Sequence, residues 1–343
     1  MRAGHVRITD LNPEALYQPV VAELSARMTD GIVKLQGPIR NEARNLVIAN
    51  ADMSLHLGSF TGDAQILMVP LQFDLGELQP VHLSELLRDV LINARGSLSG
   101  GADFDIISGA LSGTGYVDFS DIIFDTLNVG TVTGVNGRIN FSDMLALTTA
   151  PSQRLTIDYI DPGVPMHDGE ILFQIVEGAT TKLESAKWPF ADGSLEIMPT
   201  VFTADEEFET ITMQAKELEL EQLIQVFEIP DLMATGTVSG TFPVDIEGAN
   251  IMLRQAELIA DETGGWLSYR GEALATAKGQ HEYADHAFEA LKALDFRVMR
   301  LVADGNMIGR ILLSVDLLGS NEDVLGGAEF DFGLPWTPIF GNY

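Results

Sequence analysis

Alternation of apolar and polar residues recurs along the whole chain and predicts β-strands. The clearest run spans ten residues, from Val238 to Glu247, with Phe242, Val244 and Ile246 on its apolar side. The other side carries Ser239, Thr241, Pro243, Asp245 and Glu247. A period of two residues is typical of a strand with one dry face. The residues that we place on apolar strand faces are Ile139, Phe141, Ile211, Met213, Val238, Phe242, Val244, Ile246, Ile311, Leu313 and Val315.

Four stretches instead repeat their apolar residues at about 3.6-residue spacing, which predicts short amphipathic helices. The helix at Tyr283 to Leu294 is expected to cover part of the sheet through Ala287, Leu291 and Leu294. The pattern therefore favours a mainly β chain with a few short helices. The predicted helices are Pro13 to Met28, Leu83 to Asn93, Leu218 to Phe227 and Tyr283 to Leu294.

An internal repeat links two parts of the chain. The segment Ala94-Arg-Gly-Ser-Leu-Ser-Gly100 matches Ala234-Thr-Gly-Thr-Val-Ser-Gly240, and a leucine-rich predicted helix precedes each copy. Repeats of this kind indicate one supersecondary unit used more than once. We therefore expect one continuous, elongated sheet over residues 1–343, with repeat-like units at about 1–80, 81–220 and 221–343.

The charge balance narrows the possible partners. The chain has 50 acidic and 20 basic residues, which gives a net charge of −30, although 46% of its residues are hydrophobic. Such a chain repels nucleic-acid phosphates, so no nucleic-acid partner is expected. It contains no cysteine, which excludes disulfides and thiol chemistry. We find no stretch that could span a membrane, so any membrane anchor is expected to lie outside this chain.

Motifs for catalysis or metal binding fail on their spacing. His281 and His286 are five residues apart, which rotates the second side chain about 140° from the first on a helix, whereas a metal site needs them on one face. Gly96-Ser-Leu-Ser-Gly100 has Leu98 where a nucleophile elbow has serine. We therefore predict no catalytic residues, no metal site and no cofactor.

Several segments in the last third of the chain carry a family resemblance. In order, they are Ala234-Thr-Gly-Thr-Val-Ser-Gly-Thr-Phe-Pro-Val244, Leu258-Ile-Ala-Asp-Glu-Thr-Gly-Gly-Trp-Leu-Ser-Tyr269, Ala287-Phe-Glu-Ala-Leu291 with Phe296, Gly305, and Leu317-Leu-Gly-Ser-Asn321. This ordered series resembles the C-terminal region of YdbH-type proteins, in the AsmA-like group that also includes TamB. The resemblance is best over residues 220–334.

The resemblance implies a fold, a location and a function. The implied fold is an elongated, twisted antiparallel β-sheet bent into an open groove, or β-taco, whose apolar lining shields phospholipid acyl chains. The implied location is the periplasm of a Gram-negative bacterium, in a bridge anchored in the inner membrane. The eleven apolar-face residues given above, of which Ile139 is the first and Val315 the last, would line that groove.

The last predicted strand, Ala328 to Leu334, is expected to form the C-terminal edge of the sheet. An unpaired edge strand either is blunted or accepts a strand from a partner. Pro335 and Pro338 are expected to stop further pairing beyond it. The resemblance implies an outer-membrane lipoprotein as the partner. The residues expected at that contact are Ala328, Phe330, Phe332 and Leu334.

Three other interpretations remain open from the residues alone. The apolar strand faces could fill an ordinary β-sandwich core, since alternation does not distinguish a core from a groove. The chain could be a structural or adhesive extended β-protein of the cell envelope, or an enzyme on a β-sandwich. An apolar sheet face that is left uncovered would favour the groove.

Overall fold

The computed structural model describes residues 2–9, 18–88, 91–126, 129–176, 180–203, 208–247, 250–271, 282–307, 309 and 311–336. In these residues the secondary structure is dominated by 23 strands, and all the pairings given below are antiparallel. The predictions of a mainly β chain and of antiparallel strands are therefore confirmed.

The first twelve strands are β1 (Arg2–Ile8), β2 (Val20–Thr29), β3 (Ile32–Asn41), β4 (Leu46–His56), β5 (Thr61–Met68), β6 (Leu71–Phe73), β7 (Ile92–Ile107), β8 (Ala110–Thr126), β9 (Gly130–Asp143), β10 (Thr148–Thr149), β11 (Gln153–Ile160) and β12 (Met166–Val176). The other strands are β13 (Thr180–Phe190), β14 (Gly193–Ile197), β15 (Thr200–Phe202), β16 (Phe208–Glu219), β17 (Leu232–Ala234), β18 (Thr237–Glu247), β19 (Asn250–Ala260), β20 (Gly265–Tyr269), β21 (Leu294–Asn306), β22 (Ile311–Ser320) and β23 (Glu329–Trp336).

Two of the four predicted helices are present. Helices α1 (Leu220–Val226) and α2 (Glu282–Ala290) correspond to the third and fourth predictions. The first prediction is wrong over its described part, because residues 20–29 form strand β2, where pairing with β1 and β3 overrides helical spacing. The second is also wrong as a continuous helix. Two 3₁₀ turns, Pro80–His82 and Glu85–Leu87, are followed by strand β7 from Ile92.

The chain divides into two compact units. The first comprises Met1–Asp161, Asp168–Glu184 and Thr200–Asp205, and the second comprises Pro162–His167, Ser185–Pro199 and Glu206–Tyr343. In the first unit, strands β1 to β5 pair in chain order, then β5 pairs with β7, β7 with β8, and β8 with β9. Short turns join β2 to β3, β3 to β4, β4 to β5 and β7 to β8, which gives a meander over these strands.

The two faces of the first unit differ in polarity. Ala22, Ile39 and Ala49 form a small buried cluster on one face. Closer to the hairpin turns, apolar side chains on the same face stay partly exposed. Val33 lies opposite Leu55, for example, and both are only half-buried. Those partly exposed residues include Val33, Leu35, Met53, Leu55, Ile66, Phe104 and Ile106.

In the second unit, the pairing order is β14, β16, β18, β19, β21, β22 and β23. The ladder keeps apolar residues opposite one another: Ile211 pairs with Val244, and Met213 pairs with Phe242. Because side chains alternate between faces, each such pair extends one apolar face across the sheet. That face carries the site described below.

The matching glycines in the two copies of the sequence repeat have nearly the same φ angle. Gly96 has φ +109° and Gly236 has φ +107°, a region that side-chain-bearing residues rarely adopt. The preceding alanines, Ala94 and Ala234, are both buried. Each glycine also lies against a backbone carbonyl, from Asp121 in the first copy and Gly264 in the second. The glycines are therefore required by geometry in both copies.

Candidate functional site

A cavity of about 360 Å³ lies within the second unit. This volume is within the range of roughly 300 to 1,000 Å³ that is usual for small-molecule pockets. Its lining residues are Gly163, Val164, Phe190, Leu195, Met213, Ala215, Leu218, Leu220, Leu223, Ile224, Phe227, Ile229, Leu232, Ala234, Phe242, Leu253, Ala256, Leu258, Leu267, Tyr269, Phe288, Leu291, Met299, Leu301, Ala303, Met307, Ile311, Leu313, Val315, Leu317 and Leu334.

Strand β22 shows how the sheet supplies this lining. Ile311, Leu313, Val315 and Leu317 all line the cavity at two-residue intervals. Leu312, between the first two, points the other way and is 53% exposed. One strand therefore presents hydrocarbon to the cavity and a different face to solvent.

Neighbouring strands continue the same lining in register. Leu301 lies opposite Val315, which in turn lies opposite Leu334, and all three residues line the cavity. Lining residues also come from β13, β14, β16, β18, β19 and β20. Because strands so far apart in the pairing order contact one cavity, the sheet of the second unit must curve around it.

The two helices form another part of the wall. Leu220 and Leu223 of α1 are buried and line the cavity, and Phe288 of α2 lines it as well. In α1 these positions are three residues apart, which places them on one side of the helix, whereas Glu221 is exposed. Helix α1 thus turns its apolar side to the cavity, and α2 contributes Phe288.

The chemistry of the lining is almost uniformly apolar. No charged side chain occurs among the described lining residues, and the Tyr269 hydroxyl is the sole polar side-chain group there. The charges lie on the opposite side of the sheet. For example, the Arg254 guanidinium donates to Asp245 at 2.9 Å and lowers the pKa of that carboxyl. The cavity can bind hydrocarbon, and its described lining offers no charged group for recognition or proton transfer.

The predicted apolar residues are distributed over both units. Five of them line the cavity: Met213, Phe242, Ile311, Leu313 and Val315. Ile211, Val238 and Val244 are buried in the second unit but are not part of that lining, and Ile246 is half-buried further along β18. Ile139 and Phe141 belong to the first unit, on β9, where they lie opposite Val117 and Gly115.

Sequence reasoning missed much of the lining. The residues of α1 read as a simple cover for the sheet, and Phe190 and Leu195 carried no long alternating pattern. Strand β21 did carry a usable signal, since Met299, Leu301 and Ala303 alternate with Arg300, Val302 and Asp304. Period-two analysis of that strand would have added three lining residues.

The final strand occupies the expected part of the chain. Phe330 and Phe332 are buried with ring centroids 5.9 Å apart, whereas Ala328 is exposed and precedes the strand. The expectation that Pro335 ends pairing is wrong, because Pro335 lies opposite Ser314 and Trp336 opposite Leu313. Proline is tolerated there since it lacks only a donor, which an edge strand can spare. Pro338 lies outside the described residues.

The candidate metal ligands do not form a cluster in the described part of the chain. Over those residues, no group of three or more His, Asp or Glu side chains is arranged to hold an ion. His286 lies on α2, and His281 lies outside the described residues.

An antiparallel sheet curved around an uncharged cavity defines a mainly β protein with an apolar binding surface. The sequence profile of the YdbH-like family, described as intermembrane phospholipid transport protein YdbH, matches residues 2–334. The chain therefore belongs to the YdbH-like family, and the match extends far beyond residues 220–334. No curated protein and no solved structure gives a match. None of the described helices has the length and apolar character to cross a bilayer.

Proposed function

We propose that the cavity of the second unit holds phospholipid acyl chains during transport between the inner and outer membranes of a Gram-negative bacterium. The observation that carries this proposal is the lining: successive strands and two helices present hydrocarbon to one cavity, and none of its described lining residues is charged. Membership of an intermembrane phospholipid transport family supports a lipid as the occupant. In this proposal the chain works in the periplasm and has no catalytic role.

Apolar contact alone is sufficient for such a role. Burying a methylene group contributes about 0.8 kcal/mol, so each methylene held in the cavity recovers the contribution that it loses on leaving the membrane. The contact is tolerant of lipid species because no charge among the described lining residues selects a headgroup. The headgroup would remain outside, where water solvates it.

The partly exposed apolar face of the first unit supports the same function. Leu55, Phe104 and Ile106 are among the side chains there that the described structure covers incompletely. A packed sandwich core would bury such residues almost fully. We propose that this face also contacts acyl chains.

A pair of adjacent residues gives the sharpest test of the cavity. Leu313→Gln places a polar amide in the lining, whereas Leu312→Gln makes the same change on the exposed face of the same strand. Phospholipid that copurifies with each variant is quantified by native mass spectrometry.

We expect Leu313→Gln to reduce the lipid-bound fraction several-fold, since an unpaired amide in an apolar site costs about 1 to 3 kcal/mol. Leu312→Gln should retain the wild-type fraction. Equal lipid in both variants, with both folded by circular dichroism, would contradict the proposal.

We further propose that strand β23 accepts a β-strand from an outer-membrane lipoprotein. Within the described residues, β23 pairs with β22 on one side, and Glu329 and Asp331 on it are exposed. Buried Phe330 and Phe332 hold the strand against its own sheet. An open edge fixed in this way is a suitable template for strand addition.

Photocrosslinkers at Glu329 and Asp331, with Glu221 on α1 as the control position, test this contact in native membranes. Capture of a lipoprotein from the two β23 positions is expected. Capture from Glu221 alone, or from none of the three, would refute the edge as the partner site.

A further inference from the structure

A row of exposed apolar side chains follows the hairpin turns at one end of the strands in the first unit. Four turns, between β2 and β3, β4 and β5, β7 and β8, and β9 and β10, lie at this end because alternate connections of a meander share an edge. The six residues, here named the tip rim, are 38% to 65% exposed. They are Met28, Leu57, Phe60, Ile107, Leu111 and Leu145.

Backbone hydrogen bonds hold adjacent turns together. Leu57 N–H donates to the Gly31 carbonyl at 2.9 Å, and Gly109 N–H donates to the Phe60 carbonyl at 2.9 Å. Further along, Met144 N–H donates to the Gly113 carbonyl at 2.9 Å. The tip rim is therefore one connected surface rather than a set of scattered residues.

The charge of these turns is balanced. In the four segments 27–34, 56–61, 107–111 and 142–148, Arg27 and Lys34 offset Asp30 and Asp143, with histidine counted as neutral. The chain as a whole carries −30. A partner with no net charge could approach this surface, whereas an anionic partner would be repelled by the rest of the chain.

The tip rim is continuous with the partly exposed apolar face of the same unit. Met28 lies opposite Val33, and Leu111 lies opposite Ile106. Both partners belong to that face, which we assigned above to acyl chains. Hydrocarbon that reaches the rim would therefore meet an apolar surface without crossing a charged one.

We propose that the tip rim inserts shallowly into the interfacial layer of a zwitterionic phospholipid leaflet. Large apolar side chains at exposed turns lose water contact there, and the balanced charge removes the electrostatic barrier. This inference rests on the proposed function only for the purpose of the contact, which is the entry or exit of lipid. The contact itself is testable without transport.

Flotation with phosphatidylcholine vesicles measures the contact. The test variant combines Met28→Ser, Phe60→Ser and Ile107→Ser. The matched control combines Leu67→Ser, Leu75→Ser and Val201→Ser, three first-unit residues outside the rim that are 48% to 52% exposed. We expect the rim variant to bind at least about tenfold more weakly than wild type and the control to bind within about twofold of it.

A second measurement keeps the result independent of folding. Because the chain has no cysteine, Phe60→Cys and Leu67→Cys each accept one environment-sensitive fluorophore. A blue shift with vesicles is expected at position 60 and not at position 67. Equal shifts, equal losses in the two triple variants, or a rim-dependent dimer by light scattering without vesicles would overturn the proposal.

The outcomes also separate this proposal from the proposed function. Lipid retained in the purified chain together with no vesicle binding refutes the membrane contact alone. Rim-dependent vesicle binding by a chain that never retains lipid supports the contact and refutes the acyl-chain cavity.

Discussion

Single residues in this chain matter mainly through the face on which they lie. Leu312 and Leu313 are chemically identical neighbours, yet one is exposed and the other lines the cavity. Alternation could therefore predict Leu313, Val315, Met213 and Phe242 as facing inward. It could not separate them from Val244, which lies on the same kind of face but is sealed by packing. That difference depends on neighbours from other strands.

A substitution at Gly240 tests whether the backbones of β18 and β19 approach each other closely at this position of the repeat. A Cβ on Gly240 would overlap the Glu257 carbonyl oxygen, which the paired strand holds in place. Gly240→Ala should lower the free energy of unfolding by about 2 kcal/mol or more. Gly333→Ala is the control, because its Cβ would meet only the Asp316 side chain, at 3.7 Å. Urea denaturation should show a loss under about 0.5 kcal/mol for the control, and equal losses would contradict the interpretation.

His82 gives a prediction about pH. Burial, and then the Arg44 guanidinium 2.7 Å from Nε2, lower the pKa of His82, and Nδ1 accepts a hydrogen bond from Gln79 N–H at 2.9 Å. The folded state thus takes up a proton less readily than the unfolded state. The contribution of neutral His82 to stability is present above the unfolded pKa of about 6.5 and is lost as the pH falls towards the folded pKa.

The measurement compares urea midpoints at pH 7.5 and 5.5 for wild type and His82→Asn, whose side-chain oxygen can replace Nδ1 as the acceptor. The variant should lose less stability on acidification than wild type. The carboxylates titrate in both proteins, so their effect cancels. An identical loss in the two would show that His82 does not contribute.

At the scale of elements, apolar periodicity predicted strands and helices correctly where the local preference of the residues and their tertiary contacts favour the same structure. Strand β18 follows its alternating run, and α1 follows its leucine spacing. Residues 20–29 read as helical but form β2, because strands on both sides supply backbone partners. Proline in β23 was tolerated for the reason that the strand lies at an edge. In both cases the strands that pair with the segment decide its structure, and the local pattern of residues carries no information about those partners.

Substitutions in helix α1 test whether this helix packs as part of the cavity wall. Leu223 is buried and lines the cavity, so Leu223→Ala should destabilise the protein by about 2 kcal/mol, towards the low end for leucine truncation because the neighbouring cavity already limits packing. Glu221→Ala, on the exposed side of the same helix, should change stability by less than about 0.5 kcal/mol. Thermal unfolding of the two variants checks this. A comparable effect of the two changes would argue against α1 as a packed wall.

At the scale of the molecule, excess negative charge opposes folding. The described ion pairs, such as Arg138 with Asp118 and Arg154 with Glu170, are largely exposed, and such pairs contribute only about 0 to 1 kcal/mol each. They cannot offset the repulsion of a chain with a net charge of −30. Raising NaCl from 0.05 to 0.5 M should therefore raise the Tm by a few degrees, as roughly expected from screening. A Tm that falls over this range would contradict the expectation.

The family could be predicted from the sequence, but the cavity could not be fully delineated. The ordered motifs lie in residues 220–334, whereas the family match spans residues 2–334 and so includes both compact units. Phe190 and Leu334 line one cavity although 144 positions separate them in the chain. Strand register and sheet curvature bring them together, and neither property is encoded by the residues adjacent to them.

The most direct measurement is photocrosslinking to phospholipid in living cells. A photoreactive amino acid replaces Leu313 in the cavity lining or Leu312 on the exposed face, and cells are labelled with radioactive phosphate before irradiation. We predict labelled phospholipid on the purified chain when the probe is at position 313 and little or none when it is at position 312. Equal labelling at the two positions, or labelling at 312 alone, would contradict an acyl-chain site in the cavity.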